Sequence, residues 1–247
     1  MTSIPAAQSD PFTHHPELRD KIIDPEKSFF RTFNPADIDD EIRARGAPAN
    51  WRKSDLEIEQ SRHQFLEEYQ SEDLWVFGYG SLMWDPGFKF TDVRHAHTAD
   101  YRRRFCLLDM LGGRGSRDAP GLMAALDDGS GCDGLVFRIS KEDIVKETRI
   151  IWNREMIISS YEPRFIPVTT AIGEVSTLAF IANHNSERIC VDLDRDQQVR
   201  YIATGAGILG TSLEYIETLV RNLAALGIED PDISSLLRDA QGYLPEA

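Results

Sequence analysis

Residue 74 divides this chain into two parts of different character, and that boundary limits the possible folds more than any other feature. Ahead of it, Pro5, Pro11, Pro16, Pro25, Pro35 and Pro48 punctuate a polar stretch with few contiguous apolar residues. Proline removes a backbone donor and interrupts helices and sheets, so residues 1–72 read as an N-terminal extension, partly helical or loosely ordered, that lies outside the core. Within it, Ser54 to Tyr69 is an expected helix, because Ser54 can cap it and Glu57 completes a capping box three residues on. Residues 73–247 form the expected folded domain. It opens with Leu74-Trp75-Val76-Phe77, a buried strand that runs into the turn Gly78-Tyr79-Gly80-Ser81.

Strand-like segments come first in this domain and helices last. Arg94 to Leu108 carries the alternation of one strand, followed by the loop Gly112-Gly113-Arg114-Gly115. Gly121 to Leu126 and Gly134 to Ile139 flank the turn residues 127–131 and read as a hairpin. A second hairpin turns near Gly173, between Phe165 to Ile172 and Glu174 to Ile181. Helices are expected from Lys141 to Ser159, Gln197 to Thr204, Ser212 to Leu226 and Ile233 to Ala240. This order predicts an α+β fold, a mostly antiparallel sheet or small β-barrel with surrounding helices, rather than a βαβ series.

Charge narrows the function classes. Lys and Arg total 27 against 41 Asp and Glu, a net charge of -14. Such a surface repels polyphosphates, so nucleic acid is not an expected partner, and an anionic substrate would need local arginines or backbone donors. Cys106, Cys132 and Cys190 are odd in number and widely spaced, which fits a reducing cytoplasm better than a disulfide framework. Residues 1–11 lack a secretory pattern and no apolar run reaches membrane-spanning length, so no membrane association is expected.

One carboxylate stands in an unusual place. At about 100° per residue, Ile144, Thr148, Ile151 and Ile158 share a stripe of the helix from Lys141, and Glu155 falls in its middle. The charges of Glu142, Asp143, Lys146, Arg149 and Arg154 fall on the flanks or the far side. A carboxylate on the core face loses hydration and its pKa rises. Periodicity alone leaves three readings open: a pair with a buried arginine, a helix end that turns outward there, or a functional group. The turn at Tyr79 is equally open: Gly78 and Gly80 allow a simple tight turn, or one that presents consecutive N–H groups to a ligand. It is neither a phosphate loop nor a nucleophile elbow, since no Gly-Lys-Ser/Thr ending and no G-x-S-x-G arrangement is present.

The run from Trp75 to Trp84, WVFGYGSLMW, together with Trp152-Asn153-Arg154-Glu155-Met156, closely resembles the ChaC family of γ-glutamylcyclotransferases. The likeness continues through Tyr101 to Leu107, Gly113-Arg114-Gly115, Pro120-Gly121 and Glu214-Tyr215, covering roughly Leu74 to Ala240. It implies a small barrel, no metal, no nucleotide cofactor, and cleavage of glutathione to 5-oxoproline and cysteinylglycine. It also implies that Glu155 is the catalytic base and that Tyr79, Gly80, Ser81 and Leu82 cradle the substrate. Tyr215 joins them as a candidate contact, and Arg103 and Arg114 are candidates for the substrate's carboxylate charge.

Three rival readings are another γ-glutamyl amide as substrate, a non-catalytic binding protein on the same scaffold, and a hydrolase using Ser81 or Cys106. His95 and His97 share a strand face but show no third metal ligand in the sequence. Asp192, Asp194 and Asp196 lack the glycine and closing glutamate of a calcium loop and read as a solvated turn or helix start. Cys106 reads as a core thiol.

Overall fold

The computed structural model describes residues 10–67, 69 and 72–244. The extension begins with short 3-10 turns and continues into helices α1 (Asp39–Ala44) and α2 (Asp55–Glu67). The expected capping box is formed: the Ser54 N–H donates to Glu57 Oε2 at 2.7 Å and the Glu57 N–H to Ser54 Oγ at 3.3 Å. The extension is not outside the core, as its composition suggested. Leu18, Ile22 and Ile58 belong to the main apolar cluster beside Phe137, Trp152 and Leu178. Polar sequence between these isolated apolar residues hides them, because no periodic run announces their burial.

Seven strands follow: β1 (Leu74–Gly78), β2 (Asp92–Thr98), β3 (Tyr101–Asp109), β4 (Gly121–Asp128), β5 (Cys132–Ile139), β6 (Tyr161–Thr170) and β7 (Gly173–Ala182). Strands β1, β5, β2, β6 and β7 are neighbours in that order, and β7 returns to β1 through a parallel contact at Val76 and Leu178, closing a five-strand barrel. β4 joins β7 in parallel at Leu126 and Ile181 and carries β3 antiparallel on its other side. The expected α+β barrel with outer helices is therefore the fold.

Two local expectations are corrected. Arg94 to Leu108 is two strands, β2 and β3, separated by a bend at Ala99–Asp100. β4 and β5 do not form a hairpin, since β4 pairs with β3 and β7 whereas β5 pairs with β1 and β2. Both departures have one cause. The Gly129 and Gly131 N–H groups donate to the carbonyls of Asp100 and Tyr101, at 2.9 and 3.0 Å, tying the expected hairpin turn to the bend between β2 and β3. At Gly129 a Cβ would lie 2.3 Å from the Arg102 side chain, so only glycine permits this approach. The second expected hairpin is found as β6–β7, with Gly173 at φ +108°.

Helix α3 (Ile144–Glu155) lies between β5 and β6, and it is shorter than expected at both ends. Its buried residues are Glu147, Thr148, Ile151 and Trp152, so Glu147 shares the inward face that Glu155 was expected to break alone. Helices α4 (Arg195–Thr204), α5 (Ser212–Ala225) and α6 (Pro231–Gln241) close the chain as expected. Asp194 caps α4 in a capping box with Gln197, which accounts for one member of the aspartate series. None of the helices is long and apolar enough to cross a membrane, among the described residues.

Candidate active site

Glu155 is the last residue of α3, and its side chain is 14% exposed. Burial pushes its carboxyl up from the ordinary value, against the pull of Arg154. Arg154 Nε stands 3.0 Å from Glu155 Oε1. The rest of that guanidinium is held elsewhere: Nη1 donates to the Asp85 carbonyl at 2.5 Å, Nη2 to Ser81 Oγ at 2.6 Å, and the Phe30 ring stacks at 3.9 Å from its centre. Glu155 thus has one cation beside it, a cation shared among several groups, and the loss of hydration remains the stronger influence.

A small chamber of about 30 Å³ lies in front of this carboxylate. Tyr79, Gly80, Ser81 and Leu82 bound it on one side, and Glu155, Tyr161 and Tyr215 on the other. β1 brings the glycine turn to the barrel end, where Ser81–Met83 starts a single 3-10 turn with no side-chain cap. A Cβ at Gly80 would sit 3.4 Å from the Tyr215 hydroxyl, an ordinary contact that would narrow the chamber. The Tyr79 hydroxyl donates to the Phe180 carbonyl at 3.2 Å and that of Tyr161 to the Ala124 carbonyl at 3.3 Å. Burial raises the pKa of Tyr79, Tyr161 and Tyr215, and the charge of Glu155 adds to the effect. All three stay protonated near neutrality and remain hydrogen-bond donors.

The chamber shares Ser81, Glu155, Tyr161 and Tyr215 with a larger cavity of about 500 Å³. Arg114 lines that cavity, its guanidinium 5.0 Å above the Tyr215 ring and bonded to the Thr211 carbonyl at 3.2 Å. Arg188 lines it too. Neither has a carboxylate within salt-bridge distance among the described residues, and burial lowers the pKa of both. Arg103 is placed differently from its expectation. It lines neither cavity, because its guanidinium is spent on the carbonyls of Tyr79 (2.5 Å) and Asp133 (2.7 Å) and on Asp230 (2.5 Å). It braces the Tyr79 turn through its carbonyl.

The hydrolase alternatives find no support in this geometry. Ser81 Oγ is an acceptor for Arg154, and no histidine lines either cavity to activate it. Cys106 is fully buried and its thiol is pushed up to about 12 by burial. His97 pairs with Asp133 at 2.8 Å, whereas His95 meets His15 and Glu17 of the extension, with ligand atoms within 4.8 Å of one another. These three could hold a divalent cation, but none of them lines the chamber or the large cavity.

Sequence reasoning missed Arg154, Tyr161 and Arg188. Arg154 sits on a helix flank by periodicity and reaches the site only because its long side chain folds back over Ser81. Its place beside Glu155 in the Trp-Asn-Arg-Glu run was the available signal. Arg188 follows no motif and arrives through the loop after β7.

A closed five-strand barrel with an uncapped glycine turn at one end and a buried carboxylate facing it is a γ-glutamylcyclotransferase-like fold. The solved structure of a γ-glutamylcyclotransferase specific to glutathione from yeast shares it, with a TM-score of 0.64 at 20% identity, over 70% of this chain and 97% of that one. The chain belongs to the ChaC-like protein family, whose model matches residues 74–241. Among curated relatives, the glutathione-specific gamma-glutamylcyclotransferase of Escherichia coli K12 is 33% identical over 174 residues, 70% of this chain and 75% of that protein. The mouse glutathione-specific gamma-glutamylcyclotransferase 1 is 29% identical over 186 residues, 70% and 82% of the two chains.

Proposed function

We propose that this protein is a glutathione-specific γ-glutamylcyclotransferase acting in the cytoplasm, and that Glu155 is its general base and then its acid. Residues 73–247 are the catalytic unit in this reading and residues 1–72 its extension. The observation that carries it is the Glu155 carboxylate, desolvated and facing a chamber bounded by the Tyr79–Leu82 turn and protonated tyrosines. Three unpaired cysteines agree with a reducing compartment.

A γ-glutamyl group contains its own nucleophile. Its α-amine attacks the γ-carbonyl, a five-membered lactam closes, and the amine of the next residue departs. An α-ammonium of pKa about 8 must first lose a proton, and an ordinary carboxylate near 4.3 falls short by nearly four units, about 5 kcal/mol. Burial of Glu155 narrows that gap. Between ammonium and lactam the attacking nitrogen loses two protons, and between amide and ammonium the leaving nitrogen gains two, so one carboxyl relays both in turn. The Tyr215 hydroxyl and N–H groups of the turn are donors for the oxyanion that forms at the γ-carbonyl, since the Tyr79 and Tyr161 hydroxyls already donate to the Phe180 and Ala124 carbonyls. Folding the glutamyl chain so that its ends meet is worth about 7–11 kcal/mol, and the Tyr79–Leu82 turn facing Glu155 and Tyr215 is the surface that would impose that constraint. Arg114 and Arg188 are the unpaired cations for substrate carboxylates.

The test is direct. Purified protein incubated with glutathione releases 5-oxoproline and cysteinylglycine in equal amounts, and N-acetylation of the glutamyl amine abolishes both. Release of cysteinylglycine from the acetylated compound would rule out the intramolecular mechanism.

A further inference from the structure

The small chamber, at about 30 Å³ room for about one or two waters, shares Ser81, Glu155, Tyr161 and Tyr215 with the large cavity, so a substrate held at Glu155 extends into that cavity. That cavity is poorly matched to the polar cysteinylglycine alone. At about 500 Å³ it is in the range that holds drug-sized ligands, roughly 300–1,000 Å³. One wall is apolar and comes from outside the region that the family model matches: Phe29, Phe30, Phe33, Ile38, Ile42 and Trp51 of the extension. Leu108, Met123 and Leu209 contribute to the barrel side.

The three phenylalanines form a cluster, with ring centroids 5.4, 5.3 and 6.1 Å apart for the pairs 29–30, 29–33 and 30–33. Two residues of this lining are large apolar side chains left open to solvent, Phe29 at 59% and Leu209 at 46% exposure. Exposed apolar groups rimming a cleft mark a surface that a ligand covers. Cysteinylglycine would offer Arg114 or Arg188 its carboxylate, but its small thiol gives the aromatic wall nothing to bind.

We propose that the large cavity accepts an apolar substituent on the cysteine sulfur, so that the chain cleaves S-substituted glutathione in preference to the free thiol. This rests on the cyclotransferase reading and extends it to a substrate class. The chemistry is unchanged and balanced. The α-amine forms the lactam C–N bond, the amide C–N bond to cysteine breaks, and the two protons lost by the α-ammonium pass by way of Glu155 to the departing nitrogen, which leaves as an ammonium. The products are 5-oxoproline and S-substituted cysteinylglycine, and neither water nor oxidant is consumed. The substituent lies on the Phe29, Phe33 and Trp51 side, where covering apolar area lowers KM and leaves the reacting atoms untouched.

The experiment compares 5-oxoproline release from glutathione, S-methylglutathione and S-benzylglutathione by the full chain. The expected result is a kcat/KM for S-benzylglutathione about tenfold above that for glutathione, expressed through KM, with the S-methyl compound between them. In Phe33→Ser the ratio of the S-benzyl to the glutathione value falls towards one, whatever the absolute rates. An S-benzyl compound cleaved no better than glutathione by the unaltered chain would overturn the inference and leave the cyclotransferase reading standing. A ratio that Phe33→Ser leaves in place would overturn the assignment of the aromatic wall. No 5-oxoproline from any of the three would overturn both readings together.

Discussion

Glu155 and Arg154 are neighbours in sequence with opposed effects on one proton. Burial raises the Glu155 pKa while Arg154 lowers it. Glu155→Gln keeps the shape but cannot take the proton, so turnover falls by at least about 10²-fold, read from 5-oxoproline release. Its stability is expected to be unchanged or higher. A carboxyl whose pKa is raised on folding binds its proton more readily folded than unfolded, so its ionisation costs stability as pH rises above about 4.3. The variant removes that cost, and Arg154 keeps Ser81, Asp85 and Phe30 as partners. Thermal unfolding at several pH values checks this: the difference between variant and unaltered chain should grow from acid towards neutral pH, and a variant uniformly less stable would contradict it. Arg154→Gln acts in the opposite direction on the same group. Without its cation the Glu155 pKa moves higher still, so the acid limb of the pH–rate profile shifts to higher pH. An unshifted limb would show that Arg154 does not bear on the catalytic proton.

At the scale of elements, the extension clamps the helix that carries Glu155. Arg31 pairs with the fully buried Glu147 of α3, Arg62 of α2 bonds Thr148 at 3.1 Å, and the Lys53 N–H donates to the Ile157 carbonyl at 2.8 Å. Arg31→Met leaves Glu147 buried with its Lys89 N–H bond at 2.7 Å but without its bidentate cation. Breaking a buried pair in this way costs about 3–5 kcal/mol. Glu147→Gln should cost less, because Arg31 can still turn to Glu26, 3.7 Å away. Denaturant midpoints for the two variants check the order. None of this clamp was legible. The Ser54–Glu57 box and the turn at Gly173 are contained within a few residues and could be read, as could the helices of the last third. Glu147 and Glu155 stand eight residues apart on one helix, and the helical period gives both the same inward face. Only the surroundings, Arg31 across 116 residues for one and a cavity for the other, separate the paired carboxylate from the proposed base. For the same reason the β4–β5 connection read as a hairpin, since its turn is captured by Asp100 and Tyr101 rather than by its own strands.

For the molecule as a whole the governing quantity is its net charge of -14. Glutathione carries two carboxylates and one ammonium near neutral pH, a net charge of about −1, so the long-range field opposes its approach. At short range Arg114 and Arg188 act the other way: each lines the cavity without a carboxylate in salt-bridge range among the described residues, although Asp109 and Glu214 line the same cavity. Salt separates the two by distance. Raising ionic strength from 0.01 M to 0.15 M shortens the screening length from about 30 Å to about 8 Å. That removes most of the repulsion between substrate and distant surface carboxylates. Half-buried arginines a few ångströms from a bound carboxylate are screened far less. KM for glutathione should therefore fall over this range while kcat stays constant, because the proton transfer proposed at Glu155 belongs to a desolvated chamber that added ions screen little. Initial rates across the salt series measure both parameters. If KM rises with salt instead, the arginines dominate even at long range, and the acidic surface has no part in setting how much substrate reaches the site.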